Sequence, residues 1–185
     1  MEQSKKDKTV DEKRGPTELL KEEHQTTLLK LDLMERSLHY LSKPSVETAL
    51  DRVEVEKLLL KDLAVAIEKE IALHFRKEEG ALFPVLAEYI GKEHGAIEAM
   101  LHEHEKILTT FFHWKKTLPP FCRSIEPIDE GLRKAVIDPG LKVIGLLRQH
   151  IGKEDEILFK ISEASLTERE KGDLAEKLKS MDKMS

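Results

Sequence analysis

The sequence predicts an all-α fold: an up-down-up-down four-helix bundle made from a duplicated helical hairpin, with an extra C-terminal helix. Three observations predict it. Apolar residues recur at spacings of three and four along the 185-residue chain, and the alternation of a half-buried strand is absent. Leu, Glu, Lys and Ala dominate, all good helix formers or neutral ones, while Gly is held to 9 residues. The stretch HFRKEEGALFP (74–84) returns as HIGKEDEILFK (150–160), 76 positions later, with His, Lys, Glu, Leu and Phe at identical offsets.

Each element follows from its boundary signals. Residues 1–15 read as a flexible polar lead, closed by Gly15-Pro16, with Thr17 as an N-cap. The first helix runs from about Thr17 to Ser42 and stops at Lys43-Pro44. The second runs from about Val46 to Glu79 or beyond, with Pro84 kinking or restarting it before Gly91 ends that stretch. The third occupies about Gly95 to Leu118, closed by Pro119-Pro120, and PPFCRSIEPID (119–129) is the clearest loop. The fourth ends near Ser162; it starts either at Asp138-Pro139 or near Asp129 with a kink at Pro139. A last amphipathic piece, 167–179, opens with TERE, an N-cap followed by acids. Short connections between long helices make neighbours antiparallel. The resulting division is a lead (1–15), a bundle (16–163), and a C-terminal helix with its tail (164–185).

Composition removes several classes of function. A net charge of −5 and a pI near 5.9 give no general attraction for nucleic acid or anionic lipid, so neither is an expected partner. The first fourteen residues lack the apolar core of a signal peptide, and no uncharged run is long enough to span a membrane. A single cysteine, Cys122, excludes an intrachain disulfide and a Cys-rich zinc site. A cytoplasmic protein is the default expectation.

The repeat extends beyond the two quoted stretches. EEHQTTLL (22–29) precedes the first copy and HEHEKIL (102–108) precedes the second, each with Glu-His followed four residues later by Leu. Spacing alone decides little, because about one or two His-x-x-x-Glu pairs arise by chance in so charged a chain, and His94/Glu98 is one more. Position on the helix face says more. On the second helix the stripe Leu60, Leu63, Ile67, Ile71 continues into His74 and Glu78, then Leu82 and Val85. On the fourth, Ile144 and Leu147 lead into His150 and Glu154, then Ile157 or Leu158 and Ile161. His24 lies between Leu20 and Leu28, and His104 between Met100 and Leu108, on the first and third helices. Six polar groups therefore occupy slots where the 3.6-residue period demands core residues. An unpaired buried carboxylate costs several kcal/mol, so a compensating cation is implied, and no Lys or Arg lies on these stripes to supply it. Imidazole and carboxylate donors without thiolate suit iron, manganese or zinc. Four His and two Glu are too many for one tetrahedral zinc, and suit two metals with two His each, bridged by the carboxylates. The Glu-x-x-His pattern of ferritin-like di-iron bundles is absent, since none of the eight His has a Glu three residues before it.

The ordered set of Glu-His, HFxxEE..LFP, Glu-His and HIxxEx..LF over about residues 17–162 resembles the hemerythrin family, specifically its HHE cation-binding domains. The resemblance implies a four-helix bundle holding two iron ions bridged by oxo or hydroxo, with manganese or zinc as substitutes. It implies a small diatomic ligand (O2 or nitric oxide) or peroxide, and a ligand set of His24, His74, Glu78, His104, His150 and Glu154. Two positions depart from the oxygen carriers of that family. Met100 stands where they have a fifth His, and the last acid, Glu154, lies four residues after His150. The symmetric set is similar to that of iron-centre repair proteins of the same superfamily, which favours redox chemistry or sensing over simple oxygen carriage. Peroxide or nitric oxide reduction, iron donation to damaged clusters, or a metal-free helical interaction module are the rival expectations.

The other polar residues are expected to be ordinary. His94 and His102 read as capping or surface residues, and Glu23 and Glu103 as solvated, with orientation of a neighbouring group as the alternative. Glu79 and Asp155 read as exposed partners of Lys, and the repeated Lys77/Lys153 as a solvated face. His39, His113, Tyr40, Tyr89 and Trp114 read as packing or surface, and Cys122 as an idle loop thiol. The tail helix packs on the bundle or mediates a homo-oligomer, and any sensory output requires a separate partner.

Overall fold

The computed structural model describes residues 14–44, 48–90 and 95–183, and among them there is no strand. Four long helices carry the chain: α1 (Pro16–Leu41), α2 (Leu50–Lys77), α4 (Ala96–Arg123) and α5 (Glu130–Lys153). A π-helical turn, Glu78–Leu82, joins α2 to α3 (Phe83–Ile90), and a second, Glu154–Leu158, joins α5 to α6 (Phe159–Ser165). The tail forms α7 (Glu168–Asp182). Helix α1 packs on α2 and α5, and α4 packs on the same two, so the four close into a square. His24 and His104 sit near the starts of their helices, His74 and His150 near the ends of theirs, and the four meet. Consecutive helices are therefore antiparallel.

Several expected boundaries move, each for a local reason. Gly15 rather than Thr17 caps α1, with Glu18 reaching back to the Gly15 N–H at 3.0 Å. Thr17 lies in the first turn, and its hydroxyl donates to Glu163 instead. Helix α4 does not stop at Pro119-Pro120 but runs through both to Arg123. The carbonyls left without a helical donor, four residues back, belong to Lys115 and Lys116 at the solvent side, where water can satisfy them. The loop therefore begins only at Ser124, not at 119. The two readings of the fourth helix resolve toward the earlier start: Asp129 caps α5 by accepting from the Leu132 N–H at 3.0 Å, and Pro139 lies inside it. Gly140, the next residue, packs directly against Leu38 of α1 and Trp114 of α4. A Cβ there would fall 2.7 Å from Leu38 and 2.8 Å from the Trp114 indole nitrogen, so only glycine fits. Thr167 caps α7 through the expected capping box with Glu170, and the helix runs three residues beyond the expected Lys179. Val46, Gly91, His94 and most of the 1–15 lead lie outside the described residues.

The apolar residues form two clusters with the polar layer between them. The larger fills the bundle from Leu31, Ile71, Ile107 and Leu147 down to Leu41, Val53, Phe121 and Val136. The smaller joins Leu20, Leu82, Phe83, Met100, Leu158 and Phe159 to Leu174 and Leu178 of α7. On α4 the buried stripe is Met100, His104, Ile107 and Phe111; Leu108, expected inside, is 39 % exposed. On the fourth-helix stripe it is Leu158 that turns inward and Ile157 that faces out.

Candidate metal centre

All six core-facing polar residues of the repeat meet in one buried layer: His24, His74, Glu78, His104, His150 and Glu154. Their donor atoms form two groups, each within 4.8 Å: His24, His74, Glu78 and Glu154 in one, and Glu78, His104, His150 and Glu154 in the other. Each group takes the two His of one hairpin and shares both carboxylates with its neighbour. The carboxylates span the gap with one oxygen to each side. Glu154 Oε2 lies 3.2 Å from His24 Nε2, and its Oε1 lies 3.1 Å from His150 Nε2. Glu78 Oε1 lies 3.4 Å from His74 Nε2, and its Oε2 lies 3.3 Å from His104 Nε2.

The π-turns explain how the Glu residues reach inward while the residues after them stay in the core. Each begins at the Glu, and the N–H of Phe83 or Phe159 bonds back five residues to Glu78 O or Glu154 O. Such single-turn bulges often mark functional sites, because the extra residue re-aims the helix face. Here the wider turn buries two successive residues, Leu82-Phe83 and Leu158-Phe159. Each Phe then stacks on the Glu-His histidine of a neighbouring helix: Phe83 on His104 at 5.6 Å and Phe159 on His24 at 5.3 Å between ring centres.

The far side of every imidazole is held by a second carboxylate. Glu23 accepts from His74 Nδ1 at 2.7 Å, Glu79 from His104 at 2.7 Å, Glu103 from His150 at 3.2 Å and Asp155 from His24 at 3.0 Å. A carboxylate only accepts, so each Nδ1 carries the hydrogen and each Nε2 is aimed inward as a donor atom for a cation or a proton. This corrects the expectation that Glu79 and Asp155 pair with Lys; for Glu23 and Glu103 it selects the alternative expected beside solvation, orientation of a neighbouring group. The available signal was adjacency. Each outer carboxylate lies one residue from an inner ligand candidate, hence about 100° round the helix toward the next one. Lys77 also departs from its expected solvated face: it is 1 % exposed and pairs with Glu23 and Asp182.

Most of the inner atoms have no hydrogen-bond partner among the described residues. Both oxygens of Glu78, both of Glu154, and the Nε2 atoms of His104 and His150 are buried without a hydrogen-bond partner. His24 Nε2 and His74 Nε2 face each other at 2.9 Å, a contact that two lone pairs cannot make without a proton or cation between them. The electrostatics agree. Burial favours the neutral form of Glu154, but the surrounding His104, His150, His24 and His74 outweigh it and hold the carboxyl well below its usual range. Burial likewise opposes the charge on His104, yet Glu154, Glu78 and Glu79 raise it to about 9. The layer therefore calls for positive charge at its centre. Four imidazole nitrogens and two shared carboxylates fit a metal site, and they match the nitrogen-and-oxygen preference of iron, manganese or zinc.

The profile of the hemerythrin HHE cation binding domain matches residues 15–162, the whole bundle including both π-turns. The chain belongs to this family. Helix α7 lies beyond the matched span, so in this member the domain carries an appended helix that packs on its metal-binding end. No curated protein matches the chain. Within the described residues no helix is long and apolar enough to cross a membrane. Met100, which the resemblance to oxygen carriers leads one to expect in place of a fifth His, lies in the smaller apolar cluster.

Proposed function

We propose that this HHE protein is a non-heme di-iron protein that binds or responds to O2, nitric oxide or peroxide at a carboxylate-bridged centre. His24 and His74 would hold one iron, His104 and His150 the other, and Glu78 and Glu154 would bridge them. The observation that carries this reading is that the buried oxygens of Glu78 and Glu154 and the Nε2 atoms of His104 and His150 have no hydrogen-bond partner among the described residues. Bound iron would supply redox chemistry and open coordination positions for a small ligand. The chain's own residues do the rest. The outer carboxylates Glu23, Glu79, Glu103 and Asp155 fix the imidazole tautomers and orientation. The two apolar clusters keep bulk water from the layer, so charge interactions there are strong. Met100, with no imidazole to offer, leaves the His104/His150 side without a fifth nitrogen donor and favours sensing or redox turnover over reversible oxygen carriage.

The test is metal analysis of protein expressed with iron, followed by optical spectra under O2 and under nitric oxide. About two iron ions per chain, with charge-transfer bands that change with each gas, are expected. Fewer than two iron or manganese ions per fully loaded chain, or bands that respond to neither gas, overturn the reading.

A further inference from the structure

The two halves of the repeat are not equivalent, and the difference runs through α7. In the first half Lys77 is 1 % exposed and bridges Glu23, the carboxylate holding His74, to Asp182 in the last turn of α7. In the second half the matching Lys153 is 48 % exposed and pairs with Glu103 alone among the described carboxylates. Pro84 adds a second asymmetry, because position 160, its counterpart, is Lys. Proline has no N–H to return to the carbonyls of the widened turn, and Gly80 O in that turn accepts Lys177 Nζ of α7 at 2.7 Å. Leu178 completes the contact: with Leu20, Glu23, Thr27, His74 and Lys77 it lines a surface cavity of about 380 Å³ that opens toward His74. Helix α7 is thus tied to the first hairpin by Asp182, by Lys177 and, farther from the layer, by Glu170, which accepts from the Tyr89 hydroxyl at 2.5 Å. Its ion pair to the second hairpin, Lys171 to Glu163, lies at its other end, and α7 forms one wall of the opening above His74.

We propose that Lys77, Lys177 and Asp182 latch α7 over the His24/His74 half-site, so that the two metal positions differ and α7 governs exchange at that one alone. Lys77 is a positioning residue: it acts on His74 through Glu23. This inference rests on the two-metal reading above. It requires that the ions leave at different rates, and that loosening α7 speeds the release of one of them. By linkage, binding at that position also steadies α7.

The experiment follows anaerobic release of ferrous iron from the loaded full chain to a chelator in excess. Asp182→Asn and Lys177→Met alter exposed side chains, so the fold is retained. Release from the unaltered protein is expected in two phases of equal amplitude. Each variant should speed one phase about two- to five-fold, the range for a partly exposed ion pair, and leave the other unchanged. Lys77→Gln should act on that same phase and more strongly, whereas Lys153→Gln should change neither phase more than about two-fold. Amide hydrogen exchange supplies a readout independent of the release kinetics: iron loading should slow exchange in 168–182 in the unaltered protein and less so in Asp182→Asn. A chain that binds fewer than two ions sinks the two-metal reading and the latch with it. A chain that binds two ions, but releases them in one phase or responds to Asp182→Asn equally in both, overturns the latch and leaves the di-iron reading standing.

Discussion

Two layers of buried charge lie at opposite ends of the bundle, and they are solved in opposite ways. At the far end, Arg133 donates to Leu41 O at 2.6 Å and to Glu126 at 2.7 Å, and buried Lys57 donates to Ser124 O at 2.7 Å and Glu54 at 2.8 Å. Glu56 there accepts from the Ser37 hydroxyl at 2.6 Å and from Arg52 at 3.1 Å. Every one of these charges has a protein partner, and together they clamp the 124–129 loop to the base of α1 and α2. At the other end six groups converge with no Lys or Arg among them, and their inner atoms are left open. Buried charge alone is therefore no sign of a metal site; buried charge without a protein counter-charge is.

The largest expected effect breaks the closed layer. Arg133→Ala removes the buried guanidinium that pairs with Glu126 at 2.7 Å and should cost about 3–5 kcal/mol in chemical denaturation, with metal content unchanged. A loss under about 1 kcal/mol would show that the far-end layer is not closed by its ion pair. Next comes metal removal. Stripping the ions with a chelator should lower stability by about 1.4 kcal/mol for each ion, about 2.8 kcal/mol for two, if the free ion had stood at about ten times its Kd, read as a drop in melting temperature. The Arg133→Ala protein should show the same increment, because the two layers share no partner. Glu103→Ala frees the Nδ1 side of His150 and should weaken metal binding about ten-fold, or about 1.4 kcal/mol, in a competition titration. An unchanged affinity would reduce the outer carboxylates to surface decoration. The smallest effect has the opposite sign. Glu78→Leu in the metal-free protein removes a buried carboxyl group whose oxygens have no hydrogen-bond partner among the described residues and should leave stability unchanged or raise it by about 1 kcal/mol, while iron no longer shifts the melting curve. Destabilisation there would mean that the apo layer is already satisfied.

Much of this was legible in the chain. Periodicity located four long helices, and the repeat located six polar residues on core stripes. What failed were local rules overridden by context. Pro119-Pro120 does not end α4, because the carbonyls it orphans lie at the solvent side. Leu108 is exposed, since the stripe turns through Ile107. Lys77 is buried, although it occupies the same offset as the half-exposed Lys153, because α7 packs beside it and pairs with it through Asp182.

By itself the sequence determined that His24, His74, Glu78, His104, His150 and Glu154 must face inward, since the helical period that buries Leu and Ile carries these residues with them. It also determined that the protein supplies no counter-charge on those stripes. Only the tertiary structure decided how the six divide into two groups sharing both carboxylates, which outer acid holds which imidazole, and why the two halves of the repeat differ. Those are relations between helices and depend on distances of a few ångströms across the bundle. A one-dimensional pattern, which reports only which face of each helix is apolar, carries no record of them.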